Sequence, residues 1–192
     1  RRLEKLIKEK TPTQIYTNLE RIPGESLEVD FAGDSVTWID RRGKKRTSRL
    51  FLATLTFSQK IYICAFENEK QISWMGGIVK ALEFFGGAPK TLIVDNAKSL
   101  VVTHGKDKID YSPILQSLCN YYGISSFACR PGTPKGKNRV ENSVTHTYRR
   151  VLASLRLNGP IRACNLEDLN QQIAEHLSLI HISEPTRHSL IS

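Results

Sequence analysis

Three carboxylates, Asp30, Asp95 and Glu141, are of the type and in the places that metal-ion chemistry requires. Asp30 stands in Leu27-Glu28-Val29-Asp30-Phe31, where apolar residues alternate as in a strand with one face on a core. Asp95 ends the hydrophobic run Thr91–Val94, and Glu141 stands at the start of a helix behind a loop rich in Pro, Gly and Lys. Three carboxylates brought to one site repel each other unless cations occupy it. Hard oxygen ligands of this kind suit Mg2+ or Mn2+. Two such ions activate the attacking oxygen and stabilise the leaving one when a phosphodiester is displaced.

Each acid also has a plain structural explanation. Asp30 could stand in water on an edge strand, with Asp34 as the competing candidate, although aspartate is depleted in strands and costly to bury unpaired. Asp95 precedes Asn96, and an Asx-turn would account for it. Asn138-x-x-Glu141 has capping-box spacing, in which the glutamate folds back on the helix start. Position counts against capping: Glu141 is the one acid among eight basic residues between Phe127 and Arg162.

Charge points the same way. Lys+Arg number 28 and Asp+Glu 19, a net +9 with a pI near 9.5. The segment Asp40–Arg49 carries six basic residues and one acid. Such concentrations self-repel unless a polyanion lies nearby, and nucleic acid is the expected partner. No apolar run approaches the roughly 20 residues of a membrane span, so no membrane partner is expected. Nothing resembles a signal peptide, and the cysteines Cys64, Cys119, Cys129 and Cys164 lack metal-ligand spacing. Cys64 and Cys119 read as buried small hydrophobes in a reducing cytoplasm.

The elements that must position the acids follow from periodicity. Strands are expected at Leu27–Phe31, Val36–Ile39 and Arg49–Phe57, with a turn at Arg41–Lys44. Ile61–Phe66 is apolar on both faces, which predicts a central strand. A helix over Lys70–Phe85 carries the stripe Ile72, Met75, Val79, Leu82 and Phe85. Gly76-Gly77 inside it implies either close packing or a slightly different helix, since each glycine costs about 1 kcal/mol against alanine there. Thr91–Val94 is a short strand, Ser112-Pro113 starts a helix ended by Gly123, and Ser125–Ala128 is the last strand. Asn138 is expected to cap a helix with the stripe Val140, Val144, Tyr148, Val151 and Leu155, and a last helix spans Asn165–Leu177. The fold class is therefore α/β, a mixed five-stranded sheet with helices on both faces, in which sites gather at strand ends.

Residues 1–22 read as the end of a basic helix and a linker, 23–160 as the catalytic core, and 161–177 as its C-terminal helix. Residues 178–192 lose helical period and resemble translated sequencing-adapter DNA on a truncated gene, so a non-native tail is expected.

Four motifs carry a resemblance. Leu27–Phe31, Phe85-Gly86-Gly87-Ala88-Pro89, Val94-Asp95-Asn96-Ala97-Lys98, and the run Arg130-Pro131-Gly132-Thr133-Pro134-Lys135-Gly136-Lys137-Asn138-Arg139-Val140-Glu141-Asn142 resemble IstA-type insertion-sequence transposases. These belong to the retroviral-integrase-like DDE superfamily, and the resemblance covers roughly Pro23 to Leu177. It implies an RNase H-like core, with Asp30, Asp95 and Glu141 as both catalytic triad and ligands of two Mg2+ or Mn2+ ions. The expected reaction is hydrolysis at a transposon end followed by attack of the freed 3′-OH on target DNA. Lys98, Arg130, Lys135, Lys137 and Arg139 are the candidate DNA contacts. The resemblance further implies DNA ends and target as partners, a homo-oligomer on DNA, an IstB-type AAA+ ATPase, and a cytoplasmic, nucleoid-associated location. IstA proteins carry further domains on both sides of this core. An RNase H-like nuclease that only hydrolyses, and an inactive DNA-binding remnant, remain as alternatives.

Overall fold

The computed structural model describes the backbone of residues 22–94, 100–104, 109–128 and 137–183, and the side chains of 22–94, 100, 111–125 and 146–181. The basic helix and most of the linker expected over residues 1–22 lie outside them.

Strand β1 (Ser26–Ile39) turns into β2 (Lys45–Leu55), which turns into β3 (Ile61–Phe66). Helix α1 (Gln71–Phe85) crosses to β4 (Thr91–Val94). A small hairpin follows, β5 (Val101–His104) and β6 (Ile109–Tyr111), then α2 (Pro113–Tyr122), β7 (Ser125–Ala128), α3 (Lys137–Leu155) and α4 (Leu166–Ser183). The main sheet runs in the order β3-β2-β1-β4-β7. β1 is antiparallel to β2 and parallel to β4, and β4 is parallel to β7, so the sheet is mixed.

Alternation along the strands splits the core in two. Leu27, Val29, Phe31, Phe51 and Ala53 face α1 and α2, where Trp74, Met75, Ile78 and Leu115 meet them. Val36, Trp38, Leu50, Leu52 and Ile63 face α3 and α4, against Tyr148, Val151, Leu152, Leu169 and Ile173. Helices therefore cover both faces of the sheet. Gly77 shows why glycine is needed in α1: a Cβ there would lie 2.7 Å from the Phe51 ring. The helix approaches β2 more closely than alanine allows.

Several expectations need correction. β3 is an edge strand, not a central one: its apolar faces reflect helices on both sides of the sheet, whereas edge status depends on backbone pairing. Its outer peptide groups at Ala65 are met by a side chain. Asn170 on α4 accepts from the Ala65 N–H at 2.6 Å and donates to the Ala65 carbonyl at 3.0 Å, standing in for a neighbouring strand. Val36–Ile39 is not a separate strand but the second half of β1, beyond an irregularity between Phe31 and Ser35. The buried stripe of α1 is Trp74, Met75, Ile78, Ala81 and Leu82, and Ile72 is 73% exposed.

The last helix continues to Ser183 rather than ending at Leu177. Leu177 and Ile180 extend the stripe of Leu169 and Ile173 into the core, so helical period persists into the first residues of the segment expected to be a tail. Its start follows capping rules: Asn165 Oδ1 accepts from the Asp168 N–H at 2.8 Å, and Asp168 Oδ2 accepts from the Cys164 N–H at 2.6 Å. Cys64 and Cys119 are buried among apolar groups as expected, and burial pushes the Cys64 thiol above its ordinary pKa. No helix among the described residues is long and apolar enough to cross a membrane.

Candidate active site

Asp30 lies on β1, with β2 on one side and β4 on the other, yet its side chain is exposed. β1 is an interior strand of the sheet, and its described pairing with β4 runs from Ser26 to Val29, one residue short of Asp30. Its register partner is Leu52, which faces α3 and α4, so Asp30 belongs to that face of the sheet. Core packing there involves the later residues Ala32, Val36 and Trp38 and leaves Asp30 open. The Oδ1 atom accepts from the Phe31 N–H at 2.8 Å, which orients the carboxylate along the strand.

Immediately beyond Asp30 the strand bulges. Phe31 pairs with Phe51 and Ser35 with Arg49, so Ala32, Gly33 and Asp34 stand opposite Leu50 alone. Two braces hold this bulge. The Arg49 guanidinium donates to the carbonyls of Gly33 and Ala32, each at 3.4 Å, and is itself paired with Glu69 just before α1. On the other face the Tyr148 hydroxyl of α3 donates to Asp34 Oδ2 at 3.3 Å. Asp34, the competitor to Asp30 in the sequence, therefore ties β1 to α3. Neither Glu69 nor Tyr148 carried a motif that would have singled it out.

The second acid follows β4. Val94, directly before Asp95, pairs with Val29, directly before Asp30, and on its other side with Ala128 at the end of β7. Asp95 itself and Lys98 lie outside the described residues, as do Arg130 and Lys135. Lys137, Arg139 and Glu141 are described in backbone only. Helix α3 begins at Lys137, so Asn138 is already helical and Glu141 is the fifth helical residue. The expected capping role of Asn138, and with it Glu141 in the first turn, is not what the backbone shows. Among the described residues no three His, Cys, Asp or Glu side chains gather as a metal site. Asp95 and the Glu141 side chain fall outside that set.

Residues 20–134 match the integrase core domain family, and the chain belongs to that family. The match includes Asp30 and Asp95 and ends before Glu141. Over 153 residues the chain is 35% identical to a putative transposase for insertion sequence IS408 of Burkholderia multivorans, covering 79% of this chain and 29% of that protein. It is 25% identical to the transposase of insertion sequence element IS21 of Pseudomonas aeruginosa, over 87% of this chain and 41% of that one. The chain thus spans less than half the length of these relatives. Its fold is similar to the catalytic core domain of HTLV-2 integrase, solved in complex with magnesium, with a TM-score of 0.57 at 16% identity over 88% of this chain and 92% of that one. At that identity the likeness concerns the fold, a retroviral-integrase catalytic core of RNase H-like type.

Proposed function

We propose that this chain is the catalytic core of an IstA-type DNA transposase, with Asp30, Asp95 and Glu141 as its active-site carboxylates. The register of Val29 with Val94 carries the reading. Val29 and Val94 sit on neighbouring strands, about 4.8 Å apart, and each is followed in the chain by an aspartate, which supports Asp30 and Asp95 as members of one site. The third acid is supported by two anchor points of α3. Its start follows β7, which ends beside Val94, and Tyr148 rests on Asp34 of β1. Seven positions separate Glu141 from Tyr148, two helical turns or about 10 Å, so the helical period puts both on one stripe.

Oxygen donors of this kind fit hard divalent cations, and an exposed carboxylate on a strand paired on both sides leaves room for ion and substrate. Two Mg2+ or Mn2+ ions, when bound, supply the positive charge that activates the attacking oxygen and stabilises the leaving one. The chain's own residues do the rest. Asp30, Asp95 and Glu141 would hold the ions, and the ions rather than the carboxylates would face the reacting phosphate. Lys98, Arg130, Lys135, Lys137 and Arg139 neighbour the acids and hold the DNA backbone, a role that positions without reading sequence. Water first breaks a P–O3′ bond at the element's end. The freed 3′-OH then forms a new P–O bond to target DNA as the target's own P–O3′ bond breaks.

The kinship with insertion-sequence transposases supports this reading over a nuclease that only hydrolyses. Resemblance to IstA extends it to a homo-oligomer on DNA, an IstB-type ATPase partner and action in the bacterial cytoplasm. The test is incubation of the chain with a labelled 3′-OH duplex, plasmid and Mn2+. Joined product supports a transposase. Nicked plasmid alone would make it a nuclease, and no change in either DNA would leave an inactive binding remnant.

A further inference from the structure

The hairpin joining β1 to β2 is built as an ordered cationic tip, ten positions along the chain from Asp30. The Gly43 N–H donates to the Asp40 carbonyl at 2.9 Å, and the Asp40 N–H to the Lys44 carbonyl at 2.9 Å, with Gly43 at φ +76°. Aspartate first and glycine fourth is the composition this turn favours. The Asp40 side chain fixes the rest: Oδ1 accepts from the Arg42 and Lys44 N–H groups, each at 2.9 Å, and Oδ2 from Arg46 Nε at 2.8 Å. One carboxylate thus organises the turn and occupies one cation. Arg41, Arg42, Lys44 and Lys45 remain exposed, with no carboxylate partner among the described residues. The exposed Arg162 joins them, because its segment is stitched to the hairpin base by Ile39 N–H to the Ile161 carbonyl at 2.8 Å and Ala163 N–H to the Ile39 carbonyl at 3.1 Å. Below, Trp38 Nε1 donates to the buried Ser48 hydroxyl at 3.0 Å and anchors the hairpin over the core.

A fixed cluster of like charge is unfavourable by itself, and its rigidity means that little ordering entropy is lost when a polyanion docks. We propose that this hairpin tip, with Arg162, grips the backbone of duplex DNA at a second place, distinct from the cations beside the acids. The inference rests on the reading of the chain as a DNA-processing core. Asp40 lies ten positions beyond Asp30, directly after the end of β1. At about 3.3 Å per residue, less the kink at the bulge, that is roughly 30 Å. Duplex DNA rises 3.4 Å per base pair, so the tip meets phosphates about nine base pairs, close to one helical turn, from the reacting one. A duplex reaching both places is held along an axis, and cutting at Asp30 then has a fixed register.

Fluorescence-anisotropy titrations across salt concentrations test this with a hairpin-capped duplex of about 6 base pairs, too short to span roughly 30 Å at 3.4 Å per base pair, and a duplex of about 30. For the wild-type chain the longer duplex is expected to show the steeper log–log salt dependence. Replacing Arg41, Arg42, Lys44 and Lys45 with alanine should flatten the slope on the longer duplex by about 3 to 4 units, bringing it to that of the shorter one. The milder pair Arg42→Gln and Lys44→Gln retains the backbone contacts of Asp40 and should flatten it by about 2, whatever the stability of the fourfold variant. An unchanged slope in the Gln pair, with the wild type binding, overturns the hairpin contact alone. A wild-type chain that binds neither duplex overturns the DNA-processing reading, and the hairpin contact with it.

Discussion

Val29 and Val94 pair across two parallel strands, and each is followed in the chain by an aspartate. The two aspartates are 65 positions apart in sequence, and the strand residues before them are direct neighbours in the sheet.

Glu141 separates catalysis from helix capping. Glu141→Gln is expected to abolish joined product while shifting the melting temperature little. A capping role predicts retained activity, since glutamine also serves in a capping box. The position of Glu141 as the fifth residue of α3 favours the first outcome.

The cations beside Glu141 are expected to bind phosphate. Replacing Lys135, Lys137 and Arg139 together with alanine should flatten the salt dependence of duplex binding by roughly 3 log–log units, and weaken binding to unrelated sequences about equally. Anisotropy titrations at several salt concentrations read both. If these three residues merely keep the surface basic, the slope will not move.

The two glycines inside α1 should behave oppositely. Gly77→Ala drives a methyl to within 2.7 Å of the Phe51 ring and should destabilise the chain by about 1–3 kcal/mol. Gly76→Ala meets Phe66 at 3.5 Å, an ordinary contact, and should be neutral or stabilising by up to about 1 kcal/mol. Urea denaturation of the two variants distinguishes them.

Asp40 gives a pH dependence of known sign. Its hydrogen bond from Arg46, then those from the backbone of Lys44 and Arg42, hold its carboxyl below the ordinary value of 3.8. A depressed folded pKa means that the stabilisation is present above the unfolded value and is lost as pH falls through the folded one. The stability difference between wild type and Asp40→Asn should therefore be constant near neutrality and shrink below about pH 4. Urea midpoints across pH check this, and a difference that grows on acidification would contradict it.

Much of this was legible in the sequence, for identifiable reasons. The first half of β1 shows in its alternation and β4 in its short apolar run, and the three acids stand out because strands and basic loops rarely hold them. The place of Ile61–Phe66 in the sheet was not legible, because apolarity reports which faces are covered and not which backbone edges are paired. The β5–β6 pair went unread although Val101-Val102-Thr103 and Ile109-Asp110-Tyr111 flank the sequence Gly105-Lys106-Asp107-Lys108. Its strands are too short for alternation to register. Tyr148 on Asp34 joins residues 114 apart, and no local pattern encodes that contact.

The central claim is that Asp30, Asp95 and Glu141 share one pair of ions, and crystals soaked with Mn2+ test it most directly through anomalous scattering. Two peaks about 3.5–4 Å apart, enclosed by these three carboxylates, are the expected result. Well-ordered carboxylates lying more than about 10 Å from one another, a distance that ions so spaced do not bridge, would contradict it.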